Sequence, residues 1–253
     1  MKIEIIPCLK DNYSYVIIDE NNKKTCVVDP SESIPIINFL KKKNLKLNYI
    51  LNTHHHFDHV GGNIELKEKY KAIVIGFDGD NKRIPAIDIK LKDGEIWKAD
   101  NFEAKIIHIP GHTLGHICYH FYNDENLFTG DTLFSLGCGR IFEGTYEQMF
   151  SSLEKIKGLP LKTKIYCGHE YTLQNSKFCI TYDKDNQELI KKINDIKKKI
   201  NNNEPTVPST LKEELESNIF LRSDNFKIKT NLNISNSTSL DTFTKLRYLK
   251  DNF

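Results

Sequence analysis

The chain has 253 residues, enough for one large domain or a domain with a smaller appendage, and its 39% hydrophobic content suffices for a real core. Its 36 basic and 34 acidic residues leave a formal net charge of +2, a balance in which nothing argues for a nucleic-acid or membrane partner. The opening Met1-Lys2-Ile3-Glu4-Ile5-Ile6 has no apolar stretch of leader length, no window approaches a membrane-spanning run, and the 6 cysteines form no CxxC pair; reduced thiols and a cytoplasmic location are expected.

Along the first 170 or so residues, short β-branched runs alternate with turn signals. Ile3–Ile6, Tyr13–Ile18, Thr25–Val28 and Leu47–Leu51 read as strands, with a one-faced helix over Ser33–Lys43. Gly61–Tyr70 reads as a helix, followed by strands at Ala72–Gly76, Glu103–Ile109, Ile117–Phe121 and Asn126–Phe128. Thr145 and Gln148 make a capping box for a helix to about Lys157, and Lys164–Cys167 is a further strand. Near Tyr171 the character changes to polar and helical. Leu189, Ile190, Ile193, Ile196 and Ile200 recur at helical spacing within Gln187–Asn202, and Pro205 and Pro208 end that run. Thr210 and Glu213 box a short helix to about Ser217, Lys227–Thr238 reads as loop, and Asp241–Lys250 as a last helix. These elements predict an α+β catalytic domain over 1–172 and a helical domain over 173–253.

The chemistry concentrates in Thr53-His54-His55-His56-Phe57-Asp58-His59, directly after a strand. Residues two apart in an extended segment point the same way, so His54 and His56 can reach one ion together. Three later strand ends add Pro110-Gly111-His112, Gly130-Asp131 and Gly168-His169, each placing a ligand-type residue beside glycine. His54, His56, Asp58, His59, His112, Asp131 and His169 are too many donors for one tetrahedral ion and suit two, with Asp131 the best bridging carboxylate. Imidazoles and carboxylates take zinc first, with iron and manganese also accepted. His55 points away from its neighbours and is assigned to packing or support. Histidines clustered without metal would leave buried donors unpaired at a heavy penalty.

These stretches resemble the metallo-β-lactamase superfamily, and more closely its glyoxalase II branch, the hydroxyacylglutathione hydrolases. The run THHHFDHVGGN carries the superfamily likeness, with PGHTLGH, FTGDTLF and YCGHEYT beside it. Gly137-Cys138-Gly139-Arg140-Ile141-Phe142-Glu143-Gly144-Thr145 resembles the branch's substrate loop. Asn218-Ile219-Phe220 resembles a degenerate Asn-Pro-Phe motif, and Leu246-Arg247-Tyr248-Leu249-Lys250-Asp251 the branch's basic terminal helix. The resemblance implies an αββα sandwich of two sheets between helices, with a C-terminal helical domain. It implies one ion on His54, His56 and His112, a second on Asp58, His59 and His169, and Asp131 between them. It also implies a small-molecule glutathione thioester as substrate, and the chain is expected to act as a monomer.

A hydroxide shared by two cations forms near neutral pH and needs no separate base. Asp58 can orient it and accept its proton, and a thiol of pKa about 8.5 leaves without prior protonation. Glutathione carries carboxylates, for which Arg140, Arg247 and Lys250 are the candidate partners, with Tyr171 able to hydrogen-bond its peptide portion. The branch commonly has Lys and Tyr where this chain has Arg140 and Phe142; arginine keeps the charge, whereas Phe142 offers apolar contact only. Four other functions are weighed against hydrolysis of S-D-lactoylglutathione. A one-iron persulfide dioxygenase lacks the basic tail. Lactonases and β-lactamases lack the Arg140 loop. A nucleic-acid processing enzyme needs an inserted domain. A metal-free binding protein would have lost ligands.

Overall fold

The computed structural model describes residues 1–253. The chain divides into two compact units, Met1–His108 with Leu114–Gly130, and Ile109–Thr113 with Asp131–Phe253. In the first unit, β1 (Lys2–Cys8), β2 (Asn12–Asp19) and β3 (Lys24–Val28) pair antiparallel. The sheet then continues in parallel through β4 (Tyr49–Leu51), β5 (Ile73–Phe77) and β6 (Ile89–Leu91). Parallel neighbours require crossovers. The helix α1 (Ser33–Lys42) joins β3 to β4, and α2 (Phe57–Val60) with α3 (Asn63–Tyr70) joins β4 to β5. A second, antiparallel sheet holds β7 (Ile96–Ala99), β8 (Phe102–His108), β9 (Ile117–Phe121) and β10 (Asn126–Gly130) in the order β10-β9-β8-β7.

β2 is buried at every position because both of its faces are covered. Val16 and Ile18 join Val27, Ile50 and Val74 in a core with Ile36 and Leu40 of α1 and Leu66 of α3. Tyr15, on the alternate face, meets Phe128 of the second sheet at 5.3 Å between ring centroids. Each fully buried side chain of this size stabilises the fold by about 1.5–3 kcal/mol. The two sheets are also tied at the end of β4, where the histidine run begins. The Tyr119 hydroxyl reaches the carbonyl oxygens of Asn52 at 3.0 Å and Ile75 at 3.2 Å, and the Ile117 amide donates to the Thr53 carbonyl at 2.9 Å.

The second unit opens on a hairpin, β11 (Leu133–Phe134) and β12 (Gly137–Cys138), then α4 (Tyr146–Lys157) and β13 (Lys164–Cys167). The helices α5 (Thr172–Tyr182) and α6 (Gln187–Asn201) follow, then β14 (Ser209–Thr210), which pairs with β13, and α7 (Leu211–Ser217). The helices α8 (Phe226–Asn231) and α9 (Ser239–Asp251) complete it. The capping boxes Thr145/Gln148 and Thr210/Glu213 form as the sequence predicts, and Thr238/Asp241 makes a third.

Three differences from the sequence pattern have local causes. The stretch Lys227–Thr238 is not all loop: the Asn225 side chain accepts from the amides of Lys227 and Ile228, and buried Ile228 anchors α8. Asp58 and His59 lie on their own short helix, α2, before α3 starts at Asn63. The strands β6, β7, β11, β12 and β14 have between 2 and 4 residues, too few to show alternation. No helix is long and apolar enough to cross a membrane.

Candidate metal centre

β4 stops at Leu51, and the chain passes through Asn52 and Thr53 into the histidine run. His54 and His59 are buried with ring centroids 4.2 Å apart, and the ring of His56, at the start of α2, lies 4.7 Å from that of His54. Asp58 is held by Asn12, whose amide donates to the Asp58 carbonyl oxygen at 3.1 Å and to its Oδ2 at 3.0 Å. His55 turns the other way, its Nδ1 2.9 Å from Asp80 Oδ2, while Asp80 Oδ1 accepts from Arg83 Nε.

Behind the run stands Asp29, buried at the end of β3 with a left-handed backbone at φ 48°. Its Oδ1 accepts from the Thr53 amide at 2.8 Å, and its Oδ2 accepts from the Thr53 hydroxyl at 2.6 Å. Thr53 has thereby given away its one hydroxyl proton. Towards His54 Nδ1, 3.0 Å away, its oxygen can only accept. His59 Nδ1 lies 3.0 Å from the same Asp29 Oδ2 and donates to it. Both imidazoles are thus fixed with the proton on Nδ1 and the lone pair on Nε2.

The second unit carries the same pattern. His112 donates from Nδ1 to the Arg140 carbonyl at 2.8 Å, and its Nε2 faces Asp131 Oδ2 at 3.6 Å. His169, just past β13, brings its Nε2 to 3.3 Å from the same oxygen. Two glycines flanking these donors have no room for a side chain. A Cβ on Gly139 would sit 1.9 Å from the Asp131 carbonyl oxygen. Gly130 is left-handed at φ 45°, and a Cβ there would meet Thr53 Oγ1 at 2.4 Å.

These distances test the fit to a metal. His59 Nε2 is 3.7 Å from Asp58 Oδ2, and His112 Nε2 is 3.6 Å from Asp131 Oδ2. In each pair a nitrogen lone pair confronts a carboxylate oxygen, an electrostatically unfavourable approach, most of all for His112 and Asp131, which are both buried. A cation placed between the two atoms turns both contacts attractive. The donors are imidazole nitrogen and carboxylate oxygen, a set suited to divalent metals. The thiols do not compete. Burial pushes Cys138 up to about 11 and Cys167 up to about 12, so neither supplies a thiolate at neutral pH.

The expected substrate residues all lie in the second unit. The Phe142 ring stands edge-on to His112 at 5.1 Å, and Tyr171 stacks on His169 at 4.6 Å with ring planes 5° apart. The exposed Arg140 guanidinium pairs with Asp251, Arg247 is buried, and Lys250 sits over the rings of Phe178 and Phe253. Sequence reasoning missed Asp29, Thr53, Asn12 and Asp251. For Asp29 a signal existed: a carboxylate between strand residue Val28 and Pro30, where the chain must turn.

Comparison with known proteins agrees with this architecture. Residues 10–169 match the family model of the metallo-beta-lactamase superfamily, and residues 170–253 that of the hydroxyacylglutathione hydrolase C-terminus. The chain is 63% identical to a hydroxyacylglutathione hydrolase of Pelagibacter ubique, covering 100% of both chains. It is 42% identical to one of Methylococcus capsulatus, covering 100% of this chain and 99% of that one. Among solved structures, ETHE1 from Myxococcus xanthus superposes with a TM-score of 0.69 at 20% identity, over 100% of this chain and 91% of that one. The BLEG-1 B3 metallo-beta-lactamase superposes with a TM-score of 0.67 at 21% identity, over 87% and 99%. The fold is therefore the expected α+β metallo-β-lactamase type with a helical C-terminal region, and the chain belongs to the hydroxyacylglutathione hydrolase family of the metallo-β-lactamase superfamily.

Proposed function

We propose that the chain is a thioester hydrolase that cleaves S-2-hydroxyacylglutathione, S-D-lactoylglutathione foremost, to glutathione and the 2-hydroxy acid, here D-lactate. Such a reaction is the second step of methylglyoxal removal. One geometric observation carries the proposal: a carboxylate oxygen of Asp131 facing the Nε2 atoms of His112 and His169, beside the stacked Tyr171. The full-length likeness to proteins named hydroxyacylglutathione hydrolase supports it.

Two divalent ions are assigned per chain, zinc first, with iron or manganese as alternatives. His54, His56 and His112 would hold one, Asp58, His59 and His169 the other, and Asp131 both. When bound, such a pair supplies an activated water at neutral pH and positive charge for a developing oxyanion. The protein's own part is orientation. Asp29 and Thr53 fix the tautomers of His59 and His54, and the Arg140 carbonyl fixes that of His112. Asn12 steers the Asp58 carboxylate, which orients the attacking water and takes its proton. The thiolate product needs no general acid, because its conjugate thiol has a pKa of only about 8.5. Catalysis is assigned to residues 1–172 and substrate binding to 173–253, where α9 would bring Lys250 to a glutathione carboxylate, while Arg247, buried and bonded to the Cys138 carbonyl and Asp251, supports the site from behind.

Incubating the purified, metal-replete protein with S-D-lactoylglutathione and titrating the released thiol tests this directly. Stoichiometric thiol and D-lactate are expected, with two metal equivalents by elemental analysis. No thiol release, or full activity with a single equivalent, would overturn it.

A further inference from the structure

α9 places Arg247 and Asp251 one turn apart on one face. Arg247 is fixed: its Nη1 donates to the Cys138 carbonyl at 2.7 Å, its Nη2 donates to Asp251 Oδ1 at 2.9 Å, and its guanidinium lies 5.3 Å over the Phe220 ring. The same Asp251 Oδ1 lies 3.3 Å from Arg140 Nε. One carboxylate oxygen is therefore shared by a buried, immobile arginine and by an arginine whose side chain is 57% exposed. Asp251 engages Arg140 at Nε and leaves the terminal nitrogens, the edge of the guanidinium that takes a carboxylate bidentately.

An exposed arginine without such a restraint samples many rotamers, and ordering it on binding opposes affinity. An isolated surface ion pair would restrain little. Here one side of the pair is locked in place through Arg247, so the restraint does not depend on two mobile side chains. Arg140 is also tied to the metal donors through its backbone, since its carbonyl accepts from His112 Nδ1.

We propose that Asp251 is a positioning residue for substrate selection, holding the Arg140 guanidinium so that its free edge receives a substrate carboxylate. The proposal rests on the glutathione-thioester function above. Asp251 acts before binding and makes no contact with the reacting carbonyl. It selects for thioesters whose thiol carries a carboxylate.

The test compares S-D-lactoylglutathione with S-D-lactoyl-N-acetylcysteamine, a thioester without carboxylates. Asp251→Ala is expected to raise KM for the glutathione thioester about tenfold, the effect of one charge-assisted contact, with kcat within about twofold. Kinetics on the neutral thioester should stay unchanged. Asp251→Glu should recover part of the loss, and Asp251→Ala combined with Arg140→Ala should be no worse than Arg140→Ala alone. If Asp251→Ala does not fold, as judged by thermal melting and metal content, Asp251→Asn takes its place with the same readouts. A fall in KM would mean that Asp251 competes with substrate for Arg140. Equal losses on both substrates, or additive losses in the double variant, would mean a purely structural role. Each of these results overturns the proposal. Absence of glutathione-thioester turnover by the unmodified protein would instead remove the thioesterase function, and the proposal with it.

Discussion

His59 Nδ1 lies 3.0 Å from Asp29 Oδ2, and that one carboxylate also receives the Thr53 hydroxyl at 2.6 Å. Asp29 thus sets the lone-pair direction of His59 directly and of His54 through Thr53. Replacing it by Asn keeps the volume but removes an acceptor for one of its three donors. Outer-shell partners of this kind are worth about 10–100-fold in metal affinity. Asp29→Asn is expected to bind metal more weakly by that factor in a chelator competition, with circular dichroism unchanged. An affinity equal to that of the parent protein would show that the tautomers are set elsewhere.

Asp131 should matter more, because its carboxylate faces two imidazoles at 3.3 and 3.6 Å instead of supporting one from behind. Asp131→Ala is expected to lower turnover by more than about a hundredfold, beyond the outer-shell range, and to lower metal content as well. The check is elemental analysis of the gel-filtered variant alongside thiol release. Normal turnover in a metal-depleted Asp131→Ala protein would exclude metal-assisted hydrolysis.

The visible and the hidden parts of the site differ in how they are encoded. His54, His56, Asp58 and His59 are local in sequence, and their two-residue spacing at a strand end announces a shared target. His112, Asp131 and His169 are far apart but each is marked by an adjacent glycine, and for Asp131 the left-handed Gly130 explains why. Asp29 and Asn12 are single polar residues whose partners, His59 and Asp58, are 30 and 46 positions away. Pairings at such separations are decided by sheet register, which no local pattern reveals. The same holds for β6 and β7. Their few residues gain strand form from long-range pairing, Ile75 with Ile89 and Trp97 with Ala104. Arg247 was legible as a cation on the last helix, but its burial and its bond to the Cys138 carbonyl were not.

Glu214 is a buried charge that shapes the Leu133–Cys138 hairpin. Its Oε2 accepts from the Leu136 amide at 2.8 Å and from Asn218 Nδ2 at 3.0 Å, and its Oε1 pairs with Lys192. Burial pushes this carboxyl's pKa up, but the Lys192 ammonium and the hydrogen bonds outweigh it and hold the group below its ordinary 4.5. A depressed carboxyl contributes stability that is present above the unfolded value and lost as pH falls through the folded one. Denaturant midpoints should therefore drop as pH falls below about 4.5, the ordinary glutamate range. Glu214→Ala should flatten its share of that slope. At neutral pH the same variant leaves Lys192 and the Leu136 amide without their partner and should cost about 3–5 kcal/mol. A loss under about 1 kcal/mol, the scale of a surface pair, would mean that solvent reaches the site.

Lys250 sits 5.4 Å above the Phe178 ring and 5.2 Å above that of Phe253. Ring faces attract a cation and hold it in place. Burial first, and then the neighbouring Arg247 charge, lower its pKa from 10.5, so it loses its proton at lower pH than an ordinary lysine. If the ammonium grips a glutathione carboxylate, KM for the glutathione thioester should rise on the alkaline side before pH 10.5 is reached. The neutral thioester should show no such limb. Lys250→Ala should remove the limb and raise KM for the glutathione thioester about tenfold at neutral pH, as expected for one lost charge-assisted contact. Parallel KM profiles for both substrates, or equal losses in Lys250→Ala, would deny this lysine any part in binding carboxylates.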